Sequence, residues 1–291
     1  MKRLQALLLL SLASTFLLFG CGKKEEVDEQ PAVSQVIEKQ PELEETNETA
    51  EPAAEEAPTD DEAPPKEGMV RSTLTNEWIE GDLKDARPIS IMVPNDSSAL
   101  PHYNLSKADI LYECPVEGNI TRSMAVIKDW ENLDRIGNVR SCRDYFVYWA
   151  FEWDSIYLHF GGPYYINEII ERKDTDHITG CAYGDKRTDG LYEGTFYRST
   201  DKKAPQNAYA SAEGINKGIN KLGISKTYRD EYYNADHFKF ASSKEPNTLE
   251  KYSDAITAKE IDMASAYPIT KTSFTYNEND GLYYRYMYGN P

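Results

Sequence analysis

The densest run of chemically capable residues is Arg140-Ser141-Cys142-Arg143-Asp144. It lies where a polar loop gives way to an apolar helical stripe. The first N–H groups of a helix lack intrahelical partners, so a helix start attracts anions. Two guanidinium forks beside it add bidentate recognition of oxygen anions. Together they suit phosphate, pyrophosphate or carboxylate. The plainer alternative is that Asp144 caps the helix and the arginines form surface ion pairs, which contribute only ~0–1 kcal/mol each.

Further polar residues fall at the ends of expected strands, where open sheets gather ligands. Glu117 and Arg122 border one strand, His159 precedes Gly161-Gly162, Arg198 ends another strand, and Asn207 follows in a loop. Glu117 pairing with Arg122, and His159 as a hydrogen-bonded core residue, are the structural alternatives. We expect the four arginines, Glu117, Asp144 and His159 to line one cleft. Cys142 beside two arginines would be an activated thiol if exposed. Neither Gly-x-Ser-x-Gly, His-Glu-x-x-His nor a P-loop is present, so the motifs point to no nucleophile, zinc or nucleotide chemistry.

The elements that must position these groups follow from periodicity. Arg87–Val93, Ile110–Cys114 and Arg122–Lys128 read as three strands, the third central. Phe146, Trp149, Ala150 and Trp153 form one stripe of a helix starting near Ser141. Ser155–Phe160 is a strand halted by Gly161-Gly162-Pro163. A helix carrying Tyr165, Ile166, Ile169 and Ile170 follows, then a strand at Gly194–Arg198. Ile215, Ile219 and Leu222 mark a helix that stops at Gly223. Thr272–Tyr276 and Leu282–Tyr288 flank Asn277–Gly281, a strong Asp-Gly hairpin signal. Leu74 and Trp78 are expected to dock the entering segment. The predicted class is α+β or α/β: a mixed sheet flanked by helices, then a smaller β-rich part.

Ahead of this folded region the chain changes character. Residues 1–20 carry Lys2 and Arg3, then a short apolar run ending at Gly20-Cys21, the pattern of a secretory leader. The run is short for a membrane span. Leu18-Phe19-Gly20-Cys21 resembles a bacterial lipobox, which makes Cys21 the expected acylated N-terminus and anchors the protein to the extracytoplasmic membrane face. Lys23 to Gly68 holds 16 acids against 4 bases, a net of −12, with no aromatic residue. Such a stretch cannot offset its ordering entropy, so residues 21–69 are expected to be a disordered tether. The chain's net charge is −17, and the part from Met69 carries −7. No basic stripe is present, so nucleic acid is not expected as a partner. Three cysteines would remain after acylation, an odd number; one pair, Cys142 with Cys181, is expected.

Arg87-Pro-Ile…Asn95, Leu105–Ile110, Tyr112-Glu113, Val116–Gly118, Ile120–Arg122, Ile136-Gly137, Val139–Ser141, Arg143–Tyr145, His159, Gly161-Gly162 and Lys203-Ala-Pro205…Asn207 resemble the YerB family of Firmicute lipoproteins, the domain-of-unknown-function 3048 proteins. The resemblance runs from about residue 85 onward. It implies an N-terminal domain over 70–235 and a smaller β-rich domain over 236–291, whose last strand in this chain is followed by no family-type continuation, so the domain is expected to be incomplete. Gln206 stands where the family often has His, which argues against acid–base work there. A shorter likeness, Asp109-Ile110 followed by an Arg-Asp pair, is to the LytR-CpsA-Psr enzymes, which transfer glycopolymers from polyprenyl pyrophosphate.

Two functions follow as expectations. The first is a tethered lipoprotein binding an anionic envelope polymer or a partner protein, with no cofactor. The second is glycopolymer transfer, in which Glu117 or Asp144 would hold a divalent cation or act as base.

Overall fold

The structure is a computed structural model that describes residues 62–181, 192–242, 244–246 and 248–291. The leader, Cys21 and the acidic stretch to Asp61 lie outside the described residues. Strands β1 (Met69–Arg71) and β2 (Trp78–Glu80) form a small antiparallel ribbon. Between them Leu74 is buried against Met92, Met124 and Phe146. Trp78 stays half-buried, with the Arg71 guanidinium 4.0 Å above its ring, so Leu74 is the docking residue of this segment.

The main sheet contains β3 (Ile89–Pro94), β4 (Ile110–Pro115), β5 (Thr121–Ile127), β7 (Ile156–His159) and β8 (His177–Thr179), ordered β4-β5-β3-β7-β8. The first three pair antiparallel, and β3, β7 and β8 run parallel, so the sheet is mixed. The first expected strand, not the third, is the middle one of the five; β5 is fully buried but lies one place from the centre.

Strand alternation explains the two halves of the core. Ile89, Ile91 and Val93 point to the face covered by α4 (Ala212–Leu222), through Ile215 and Ile219. Met92, Met124, Val126 and Tyr157 point to the other face, under α1 (Asp144–Phe151) and α2 (Asn167–Ile170). Both faces are covered, which is why β3 and β5 are buried along their whole length. A second sheet, β6 (Ile136–Gly137), β10 (Ala208–Ala210) and β9 (Phe196–Arg198), lies on the α4 side after the turn α3 (Tyr192–Thr195). Ser211 caps α4, and Gly223, at φ 68°, ends it in the left-handed region that favours glycine.

Arg87 enters β3 fully buried, and its charge is matched. Its Nη1 donates to Asp176 at 2.7 Å and its Nη2 to Asp154 at 3.1 Å, while Arg229 Nε also donates to Asp154, at 2.8 Å. The chain then reaches β11 (Glu260–Asp262), β12 (Ser273–Asn277) and β13 (Leu282–Tyr286), a three-stranded antiparallel sheet. Its hairpin turns at Asn277–Gly281, where Asp280 accepts the Leu282 N–H and Gly281 has φ 74°. This sheet docks on the main one through Glu113, which accepts Thr272 Oγ1 at 2.9 Å and Arg285 Nη2 at 2.6 Å. The architecture is α+β: a mixed sheet flanked by helices, with small antiparallel sheets added.

The expected pairing of Cys142 with Cys181 is not formed. Cys114, Cys142 and Cys181 are free thiols. Cys142 is buried under Gly162, and its Sγ donates to the Gly161 carbonyl at 3.2 Å.

Candidate functional site

The parallel strands β3, β7 and β8 end at one edge of the sheet, and β5, running the other way, begins there. Arg122, the second residue of β5, therefore stands opposite Pro94 at the end of β3. The chain from Arg140 to Cys142 crosses the same edge. Arg140 N–H donates to Met92 O at 3.0 Å, Phe160 N–H to Arg140 O at 2.9 Å, and Cys142 N–H to Gly161 O at 3.0 Å. These backbone bonds fix Arg140 and Arg143 beside Arg122, just ahead of the first turn of α1. Arg143 is the N-cap residue, and Asp144 is the first helical one.

The three arginines of this group differ in how their charges are met. Arg143 Nε donates to Glu117 Oε1 at 2.8 Å, and Nη2 to the other oxygen, a bidentate pair at the surface. Arg143 holds the Glu117 carboxyl below the usual range. Arg122 is only 6% exposed; its Nη1 donates to Ser141 O at 2.6 Å, and among the described residues it forms no ion pair and its Nε has no partner. Burial, then the charges of Arg143 and Arg140, push its guanidinium down to about 10. Arg140 is half-buried, and among the described residues its Nε is also unpartnered and it forms no ion pair. Burial lowers its pKa; Asp96 opposes the shift, while Arg143 and Arg198 add to it. The contrast with Arg87 is direct: that guanidinium meets two carboxylates, whereas Arg122 meets none.

Arg198 borders the group from β9. Its Nη1 donates to Asn207 Oδ1 at 2.7 Å, and it lies 4.8 Å from the Phe160 ring centre. Asn207 in turn donates to Ser199 O at 2.8 Å. Asp144 opens α1, where a carboxylate complements the helix dipole, and forms no ion pair with the arginines. His159 is not on the surface of this group. It is 3% exposed, bonded to Gly161 O at 2.8 Å and to His177 Nδ1 at 3.0 Å. Its ring lies 5.3 Å from that of Tyr157, beneath the edge. Glu117 pairs with Arg143, not with Arg122 as the structural alternative had it.

Sequence reasoning missed Tyr157, Asp96, Tyr145 and Tyr165. Tyr157 is fully buried, its hydroxyl has no hydrogen-bond partner among the described residues, and Arg122 and Arg143 act on it electrostatically. Its place two residues before His159, on the same side of β7, was the available signal. Among the described residues no group of three His, Cys, Asp or Glu side chains could hold a metal ion, and no helix is long and apolar enough to cross a membrane.

A mixed sheet sandwiched by helices, with arginines at the edge where its parallel strands end, defines an α+β protein. The family model described as "Protein of unknown function (DUF3048) N-terminal domain" matches residues 74–225, and the chain belongs to that family. It is 32% identical over 163 residues to "Putative lipoprotein YerB" of Bacillus subtilis (strain 168), a match covering 56% of this chain and 46% of that protein. The crystal structure of YerB from Bacillus subtilis superposes with a TM-score of 0.56 at 25% identity, covering 76% of this chain and 68% of the other. The aligned portion thus spans under half the length of that curated relative.

Proposed function

We propose that this protein is a lipoprotein, anchored through Cys21 on the extracytoplasmic face of the membrane, that holds an anionic envelope ligand at Arg122, Arg140 and Arg143, with Arg198 and Asn207 at the rim. One observation carries the reading. Among the described residues Arg122 is a buried guanidinium with no carboxylate partner, in a protein of net charge −17 that supplies two carboxylates to Arg87, which is buried as deeply. An uncompensated buried cation costs several kcal/mol, so its retention points to a counter-ion that arrives from outside. The lipoprotein part is supported by the lipobox-like Leu18–Cys21 and by the likeness to YerB.

Titration of the purified full chain with wall fragments and with polyprenyl phosphate tests the site. Binding should weaken with salt and be lost in Arg140→Ala combined with Arg143→Ala; unchanged affinity in that variant removes the ligand reading. Turnover of a glycopolymer donor during the titration would replace binding by transfer. Intact-mass measurement of membrane fractions tests the anchor, and a full-length form beginning at an unmodified Met1 would overturn it.

A further inference from the structure

We infer that the anion held at this edge is a phosphate-type dianion carried on a carbohydrate, seated with the phosphate on Arg122 and Arg140 and the sugar against Tyr164 and Tyr165. This rests on the anion-binding reading and names its ligand class. Charge comes first. The guanidiniums of Arg140 and Arg143 act on Arg122, and those of Arg143 and Arg198 on Arg140; among the described residues Glu117 and Asp96 are the carboxylates that act on this group. Four cations against two anions leave two positive charges to be matched. A phosphomonoester or a pyrophosphate diester matches them; a lone carboxylate supplies half. Donor geometry agrees. Two separate guanidinium edges have an Nε without a partner, which suits several oxygens at tetrahedral angles, whereas one fork satisfies a planar carboxylate.

The carbohydrate follows from what stands beside the arginines. Gly161 accepts the Cys142 N–H, so the chain leaving β7 passes directly next to Arg143 before turning into Tyr164–Ile166. Tyr164 is 79% exposed and Tyr165 52%, with ring centroids 6.1 Å apart and planes at 75°. Tyr165 acts electrostatically on Arg143. Two exposed rings at different angles next to an anion site offer apolar faces for sugar C–H groups, and their hydroxyls offer partners for sugar hydroxyls. The net-negative protein with no basic stripe disfavours a polynucleotide as the source of the phosphate.

The test is calorimetry on the full chain with inorganic phosphate, acetate, glucose 1-phosphate and phenyl phosphate. Phosphate should bind more tightly than acetate, and glucose 1-phosphate about fivefold more tightly than phosphate, a gain of the size ring contacts give. That ratio should vanish in Tyr164→Ala combined with Tyr165→Ala and persist in Tyr148→Ala, which alters another exposed tyrosine, 55% exposed on α1. Vesicles bearing a polyprenyl glycosyl pyrophosphate, set against the soluble sugar phosphate, distinguish a lipid-borne ligand from a free one. Phosphate bound with no gain from the sugar overturns this inference alone. An equal gain from phenyl phosphate overturns the carbohydrate. Absence of binding by every probe overturns the anion site as well.

Discussion

The Glu113 carboxylate accepts the Arg285 guanidinium at 2.6 Å, joining residues 172 positions apart in the chain. The same carboxylate accepts the hydroxyls of Thr121 at 2.6 Å and Thr272 at 2.9 Å, and the Asn95 amide at 3.3 Å. Thr121 precedes Arg122, and Asn95 precedes Asp96, so the C-terminal sheet is tied to the two segments that border the arginine group.

Replacing Glu113 by Ala strips a nearly buried acceptor from four donors at once. Each donor left without a partner costs ~1–3 kcal/mol, so the variant should lose at least ~2 kcal/mol of unfolding free energy. Urea unfolding followed by tyrosine fluorescence measures it. A loss below ~0.5 kcal/mol would show that water replaces the carboxylate and that the C-terminal sheet is held by other contacts.

Arg122→Met should do the opposite. It removes a buried charge that no carboxylate matches and keeps much of the side-chain volume, so stability should rise by ~1 kcal/mol or more while anion binding is lost. Conversely, phosphate should raise the melting temperature of the natural protein and leave that of the variant unchanged. A variant less stable than the natural protein would mean that the Ser141 hydrogen bond outweighs the cost of the buried charge.

His102 gives a pH dependence with a definite sign. Its Nε2 lies 2.6 Å from Pro94 O, and burial, with help from the charges of Lys202 and Arg285, pushes it down from 6.5 to about 4. The unfolded chain therefore binds this proton between those values while the folded one does not. The contribution is complete above pH 6.5 and is lost as pH falls to about 4, up to ~3 kcal/mol in all. Unfolding free energies measured from pH 7 to 4 for the natural protein and His102→Gln should diverge in that window. Parallel curves would place the folded-state titration of His102 near its ordinary value.

Cys142 should be unreactive despite its arginine neighbours. Burial pushes its thiol up to about 12, more than the opposing charges of Arg143 and Arg122 pull it down. Iodoacetamide at pH 8 should label Cys142 only after unfolding. Fast native-state labelling there, read by peptide mass spectrometry, would mean the Gly161-Gly162 segment opens.

Gly162 is tested in the same region. A Cβ at this position would overlap Cys142 Sγ and Ile166 Cδ1. Gly162→Ala should cost ~1–3 kcal/mol as the packed core shifts, measurable by thermal unfolding; a neutral substitution would show that the thiol has room to rotate away.

Local pattern carried most of the elements. Strands β3, β4, β5 and β7, the α1 and α4 stripes, the Gly223 stop and the Asp280-Gly281 hairpin all lie where periodicity and turn chemistry put them, because each is specified by neighbours within a few residues. The run expected to be one helix around Tyr165 is instead a 3-10 turn followed by the four-residue α2, and the strand expected from Gly194 begins at Phe196 after a helical turn. Such short pieces are decided by what they pack against.

By itself the sequence determined the leader-like start, the acidic stretch, the α+β class, the family and the arginine-rich Arg140–Asp144 segment, since these are matters of composition, periodicity and motif order. The tertiary structure alone decided which charges meet: Glu117 with Arg143, Arg87 with Asp154 and Asp176, and Arg122 with no carboxylate. His159 went to the interior for the same reason, as strand order and register bring together residues far apart in the chain, and no local rule reports that distance.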